Sequence, residues 1–269
     1  MSAIKSVFAA IILAFIPIHG VQAKDDYHGV PNNLDAAKGS HQVVVCSACH
    51  GTNGIGATSD YPNLAGQQYN YVLKQLEDFR DGRRKSSIMT GMAMTIPASK
   101  ENQNLKDIAT YFSQMKPAWA GHAEQPANSS DAAQVKIGQV IYTLGAADDG
   151  IPSCAACHGL DGEGNGPMAI PALAAQHQAY VIAQLNQFAS GARDNSAGHV
   201  MHVIARAMTA SQRVAVAAYV RQLNPATTLG MGPKDFAAYS KLQAAKTPVR
   251  ADEPAKGAPA AAASTGTRH

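Results

Sequence analysis

Two five-residue stretches hold most of the reactive chemistry in this chain: Cys46-Ser47-Ala48-Cys49-His50 and Cys154-Ala155-Ala156-Cys157-His158. Together they use all 4 cysteines. A C-x-x-C-H run reads as a covalent c-type haem attachment site. On a helical turn, positions i and i+3 share a face, so both thiols reach the two vinyl groups of one porphyrin. The histidine that follows is placed to act as the proximal iron ligand. Gly51 and Gly159 come next, where glycine lets the chain turn sharply away. These residues predict two covalently bound haem c groups, attached through Cys46, Cys49, Cys154 and Cys157, with His50 and His158 on the irons. Other uses of a C-x-x-C pair are a redox dithiol, half of a zinc site, or ordinary disulfides. A redox dithiol belongs in a βαβ context, and no strand-rich segment surrounds either copy. A four-cysteine zinc site leaves two identically placed histidines without a role.

The remaining axial position separates a carrier from a catalyst. Methionine closes the iron and raises its potential, whereas an open position admits ligands or peroxide. The chain nominates Met89 and Met201. Met89-x-x-Met92-Ala93 matches Met201-x-x-Ile204-Ala205, each lying between a Gly-x-Arg segment and the last helix of its unit. Met92, Met94 and Met208 are less symmetric, and methionine in an apolar stretch is commonly core filler. His199 and His202 flank Met201 and stand as alternative ligands for the second iron. No catalytic residue is assigned.

Positioning these groups is the task of a duplicated helical chain. Cys46 to Cys154 is 108 positions (154 − 46 = 108), and much else recurs near that offset. Pro62-x-Leu64-Ala65-x-Gln67 returns as Pro171-x-Leu173-Ala174-x-Gln176. Tyr71, Gln75, Leu76, Phe79, Gly82 and Arg84 return as Tyr180, Gln184, Leu185, Phe188, Gly191 and Arg193. Val72, Leu76 and Phe79 fall at helical spacing, as do Val181, Leu185 and Phe188. Leu105, Ile108, Ala109, Phe112 and Met115 form a second stripe, matched by Val216, Tyr219, Val220 and Leu223. Gly39 and Gly138 are expected to open the helices that carry the haem motifs. The fold class is all-α, as two tandem domains each wrapped around one haem.

The expected boundaries are 1–23 for a signal peptide, 24–116 and 131–224 for the domains, 117–130 for a linker, and 225–269 for a largely disordered extension. Lys5 precedes an apolar run from Val7 to Ile18, and Val21-Gln22-Ala23 resembles a signal-peptidase site. The run is too short to span a bilayer, which needs about 20 residues. The mature chain is expected in the periplasm. Its formal charge is +2, since removing Lys5 leaves 3 − 1 = 2, and this does not point to nucleic acid. Trp119, the single tryptophan, is expected to pin the linker onto a domain.

Taken together, these motifs resemble the dihaem cytochrome c4 family, tandem class I c-type cytochromes of the periplasm. The resemblance spans about Ala36 to Leu223 and rests on the paired C-x-x-C-H-G, P-x-L-A-x-Q and F-x-x-G-x-R segments and on Met89-Thr90-Gly91-Met92. It implies one-electron transfer in a respiratory chain, with Met89 and Met201 as iron ligands. It also implies that the Pro62 and Pro171 carbonyls accept a hydrogen bond from the proximal imidazoles, and that propionate edges meet between the domains. Partners would be redox proteins such as a quinol-oxidising complex, a terminal oxidase or a dehydrogenase, with peripheral membrane association through them. Arg84 and Arg193 are either propionate partners or exposed surface arginines. A peroxidase-like dihaem enzyme, or a cytochrome subunit of a dehydrogenase, is the alternative function. Ala175 departs from the pattern by replacing the glycine found at Gly66.

Overall fold

The computed structural model describes residue 34, residues 36–121 and residues 132–225. The expected leader, most of the linker and nearly all of the C-terminal extension lie outside the described residues. Ten α-helices occur among the described residues, five before and five after the linker. They are α1 (Ala36–Gln42), α2 (Val44–His50), α3 (Tyr69–Arg80), α4 (Met89–Thr95), α5 (Gln103–Ser113), α6 (Ala132–Leu144), α7 (Ala155–His158), α8 (Gln178–Ser190), α9 (Val200–Ala207) and α10 (Ala210–Gln222). No strand forms among the described residues; two isolated bridges, Ala146 with Ile151 and Asn165 with Ile170, staple loops of the second unit.

The apolar stripes become the cores. Val72, Leu76 and Phe79 pack with Leu105, Ile108, Ala109 and Phe112 in the first unit. Val181, Leu185 and Phe188 pack with Val216, Tyr219, Val220 and Leu223 in the second. In each unit the first and last helices cross, α1 on α5 and α6 on α10. The crossing is close because glycine sits at the contact. A Cβ on Gly39 would overlap the Asp107 carbonyl oxygen and stand 2.8 Å from Tyr111 Cβ. A Cβ on Gly138 would overlap the Ala215 carbonyl and stand 3.0 Å from Tyr219 Cβ. Neither glycine opens a haem-motif helix, contrary to the expectation from sequence. Each lies within the preceding helix, and what it supplies is backbone contact between helices. Trp119 packs against the core of the second unit, so the linker is pinned there.

The units meet across a pseudo-two-fold interface made of repeated residues. Gln67 accepts a hydrogen bond from the Ala172 N–H (2.7 Å) and donates to the Ala172 carbonyl (3.0 Å). Gln176 treats Asn63 in the same way, at 2.9 and 3.0 Å. Each amide thus mimics a strand partner for one residue of the other unit. One corner breaks the symmetry. Asp78 is buried, paired with Lys74 and, at 2.7 Å, with Arg83, and it accepts from Asn195 of the second unit at 2.7 Å. Lys74 also donates to the Asn195 carbonyl at 2.7 Å. The repeat places no acid at the position equivalent to Asp78, which is Gln187.

Overpacking a closed helix crossing costs roughly 1–3 kcal/mol. Gly39→Ala and Gly138→Ala should each destabilise their own unit by that amount, read as a lower denaturant midpoint of the holoprotein. At the interface, burial pushes the Asp78 carboxyl up, but the bonds from Lys74, Arg83 and Asn195 outweigh it and hold the group below its ordinary value of 3.8. A depressed folded value stabilises above the ordinary value and is lost as pH falls through the folded one. Asp78→Asn should therefore be less stable than wild type at neutral pH, with the gap closing in acid denaturation below about pH 4.

Candidate haem sites

Both C-x-x-C-H motifs end a short helix and then leave it abruptly. Cys46, Cys49 and His50 lie on α2, with Cys46 and Cys49 one turn apart. Cys154 immediately precedes α7, which holds Cys157 and His158. Gly51 and Gly159 follow at φ of 77° and 81°, a region that side chains with a Cβ avoid. Their N–H groups close the helix ends on Ser47 (2.9 Å) and Ala155 (3.0 Å).

The chain then loops back to a proline that fixes the imidazole. His50 Nδ1 is 3.0 Å from the Pro62 carbonyl oxygen, and His158 Nδ1 is 3.0 Å from the Pro171 carbonyl oxygen. A carbonyl can only accept, so Nδ1 carries the hydrogen and Nε2 keeps its lone pair. Such a bond orients a metal-bound histidine and raises its basicity as a ligand. Burial lowers the pKa of both imidazoles, and the proline carbonyls offset this only in part. Both rings are therefore neutral donors at physiological pH. Burial also pushes the Cys154 thiol up to about 11, and raises Cys46 in the same direction. A redox dithiol needs the opposite shift. Among the described residues no three His, Cys, Asp or Glu side chains form a metal-holding group.

The methionines differ sharply in placement. Met89 opens α4, with its N–H donated to Ser86 Oγ at 3.1 Å, and packs half-buried against the first core. Met201, near the start of α9, donates its N–H to Ser196 Oγ at 3.1 Å and packs half-buried against the second core. Met94 is 67% exposed, and Met208 is 4% exposed within the second core. The two histidines beside Met201 have other partners. His202 Nδ1 donates to the Phe188 carbonyl at 2.7 Å, and the exposed His199 bonds the Asp194 carboxylate at 2.7 Å.

Residue-type reasoning overlooked the interface groups, which carry no recognisable chemical motif. Their signal was in the repeat itself. Gln67 and Gln176, Tyr71 and Tyr180, and Gln75 and Gln184 all recur at one spacing, since 176 − 67, 180 − 71 and 184 − 75 each give 109. The reading of Arg84 and Arg193 as exposed surface residues fails, because both are buried between the units.

The cytochrome c family matches residues 36–116 and 135–224, one match per helical unit. Cytochrome c4 of Azotobacter vinelandii is 36% identical over 200 residues, covering 71% of this chain and 90% of that protein. The thiosulfate dehydrogenase electron acceptor of Thiomonas intermedia is 36% identical, covering 66% of this chain and 78% of that protein. The crystal structure of reduced recombinant cytochrome c4 from Pseudomonas stutzeri superimposes with a TM-score of 0.63 at 34% identity, covering 71% of this chain and 100% of that one. A buried neutral imidazole next to two thiols one turn apart fits covalent haem c in each unit, and the relatives agree. Duplicated in sequence and in architecture, the chain belongs to the cytochrome c4 family and is an electron carrier with two covalently bound haem c groups.

Proposed function

We propose that the protein carries single electrons between periplasmic redox partners, with one iron held by His50 and Met89 and the other by His158 and Met201. When bound, each haem c supplies an iron that alternates between ferrous and ferric states. The chain's residues do the rest. Pro62 and Pro171 hold the imidazoles in one tautomer, leaving each Nε2 as the donor. The observation that carries the reading is the matched pair of half-buried methionines, each resting on its own unit's core near the start of a helix. His199 is exposed beside Asp194, and the first-unit positions that match His199 and His202 are Ser87 and Thr90, which carry no imidazole; both points favour Met201 over either histidine. A filled sixth position leaves no site for a substrate, so the chain serves a reaction catalysed elsewhere.

The periplasmic assignment rests on the leader-like residues 1–23 and on the covalent haem attachment. No helix among the described residues is long and apolar enough to cross a membrane. On the donating side we infer a dehydrogenase, since relatives at 36% identity are named thiosulfate dehydrogenase electron acceptors. A terminal oxidase is the matching acceptor in a respiratory chain, with a quinol-oxidising complex as the other candidate donor.

Carbon monoxide separates this carrier from a peroxidase-like enzyme. Ferrous holoprotein should give no rapid spectral change under the gas; stoichiometric binding to either haem would reject the closed-iron reading. Ligand identity has its own test. Met89→Ala and Met201→Ala should each abolish the methionine-to-iron charge-transfer band of one haem of the two, and lower that haem's potential. A Met201→Ala protein whose second haem is unchanged in spectrum and potential would shift the assignment to His199 or His202.

A further inference from the structure

After the buried Arg193 the chain runs over the surface towards α9, with Asp194, Ala197, Gly198 and His199 exposed. Asn195 is the point at which this stretch is held. Its Oδ1 accepts from Arg193 Nε at 2.9 Å. Its Nδ2 donates to Gln75 Oε1 at 2.9 Å and to Asp78 Oδ2 at 2.7 Å, and its carbonyl accepts from Lys74 Nζ at 2.7 Å. Gln75, Asp78 and Lys74 all belong to the first unit and lie on α3. The next residue, Ser196, is the one whose Oγ accepts the Met201 N–H at 3.1 Å. A single peptide link therefore separates an anchor supplied by the first unit from the group that caps Met201 in the second.

The anchor is strong because it is charged. Asp78 is 1% exposed and paired with Lys74 and Arg83, and a buried carboxylate paired in this way stays ionised. Hydrogen bonds to ionised groups are roughly twice as strong as neutral ones. Asn195 makes two of them with the first unit, from Lys74 and to Asp78. The arrangement has no counterpart on the other side of the boundary. At the repeat offset of 109, Lys74, Asp78 and Asn195 correspond to Ala183, Gln187 and Ser86 (183 − 74, 187 − 78 and 195 − 86). Ser86 Oγ caps the Met89 N–H at 3.1 Å, as Ser196 caps Met201. Among the described residues, however, the stretch 85–88 makes no hydrogen bond to the second unit. Beyond Met201, α9 is tied to its own unit through His202 and the Phe188 carbonyl, so what the first unit adds is confined to the stretch before the methionine.

We propose that Lys74 and Asp78 are positioning residues for Met201: through Asn195 and Ser196 of the opposite unit they fix the start of the helix that presents this thioether to the second iron. Met89 has no such support from across the boundary. The second site is thereby completed by the first unit, and the first site is not completed by the second. This deepens the electron-transfer reading and rests on its assignment of Met201 as a ligand.

The test is displacement of methionine by imidazole in the full-length ferric dihaem holoprotein, followed in stopped flow as loss of the methionine-to-iron charge-transfer band. Met89→Ala leaves only the band of Met201, and Met201→Ala leaves only that of Met89, so each background reports on one iron. In the Met89→Ala background, Asp78→Asn and Lys74→Met should each speed the loss roughly tenfold, about what one hydrogen bond to a charged group is worth. In the Met201→Ala background the same two substitutions should leave the rate unchanged. Lys74, with a side chain 36% exposed, carries the test if Asp78→Asn fails to fold. Both substitutions sit in the first unit, so a merely structural role would loosen Met89 at least as much as Met201. Equal acceleration at both irons, acceleration at Met89 alone, or no acceleration at either would overturn the proposal. The ligand assignment is read separately. If Met201→Ala leaves the second haem unchanged in spectrum and potential, that assignment falls and the positioning role with it; if Met201→Ala removes the band but the rates do not move, only the positioning role falls.

Discussion

A single hydrogen bond, repeated once, organises each half of this protein: the Nδ1–H of a buried histidine donated to a proline carbonyl 3.0 Å away. The bond joins the end of the motif helix to the far end of a glycine-rich loop. It sets the tautomer and ring plane, and with them the direction of the remaining lone pair. Small helical units bury little apolar surface on their own. A prosthetic group at the centre of each core supplies the missing contact, so the element that anchors it also anchors the fold.

Around that bond the helices divide the labour. The glycine contacts of α1 on α5 and α6 on α10 bring backbones close enough to leave α3 and α8 free to carry two functions. One face of each gives Val72, Leu76 and Phe79, or Val181, Leu185 and Phe188, to the core. The other gives Tyr71, Gln75 and Tyr180, Gln184 to the opposite unit's arginine. A helix that fills the core and also builds the interface couples the two units mechanically.

Duplication did not produce a symmetric molecule. The second unit holds Ala175 at φ 54°, where the first has Gly66 at φ 69°, so the same left-handed turn is kept with a less suitable residue. The Lys74, Asp78, Arg83 and Asn195 cluster exists on one side only. Two haem sites built on one plan therefore sit in different fields. A carrier that accepts an electron at one end and releases it at the other has use for such a difference.

The attachment motifs, the helical class and the duplication were legible in the residues, because covalent chemistry demands fixed spacing and amphipathic helices demand a fixed period. Met89 and Met201 were legible as nominees through their matched positions in the repeat. Where the arginines point was not legible. A guanidinium looks alike in sequence whether it is solvated or buried, and only packing of one unit on the other decides. The role of Gly39 and Gly138 was misread for the same reason: a glycine that starts a helix and one that lets two helices touch differ only in what lies opposite. Local rules settled which groups the chain carries; the meeting of residues about a hundred positions apart, as with Gln67 and Ala172, settled how they act together.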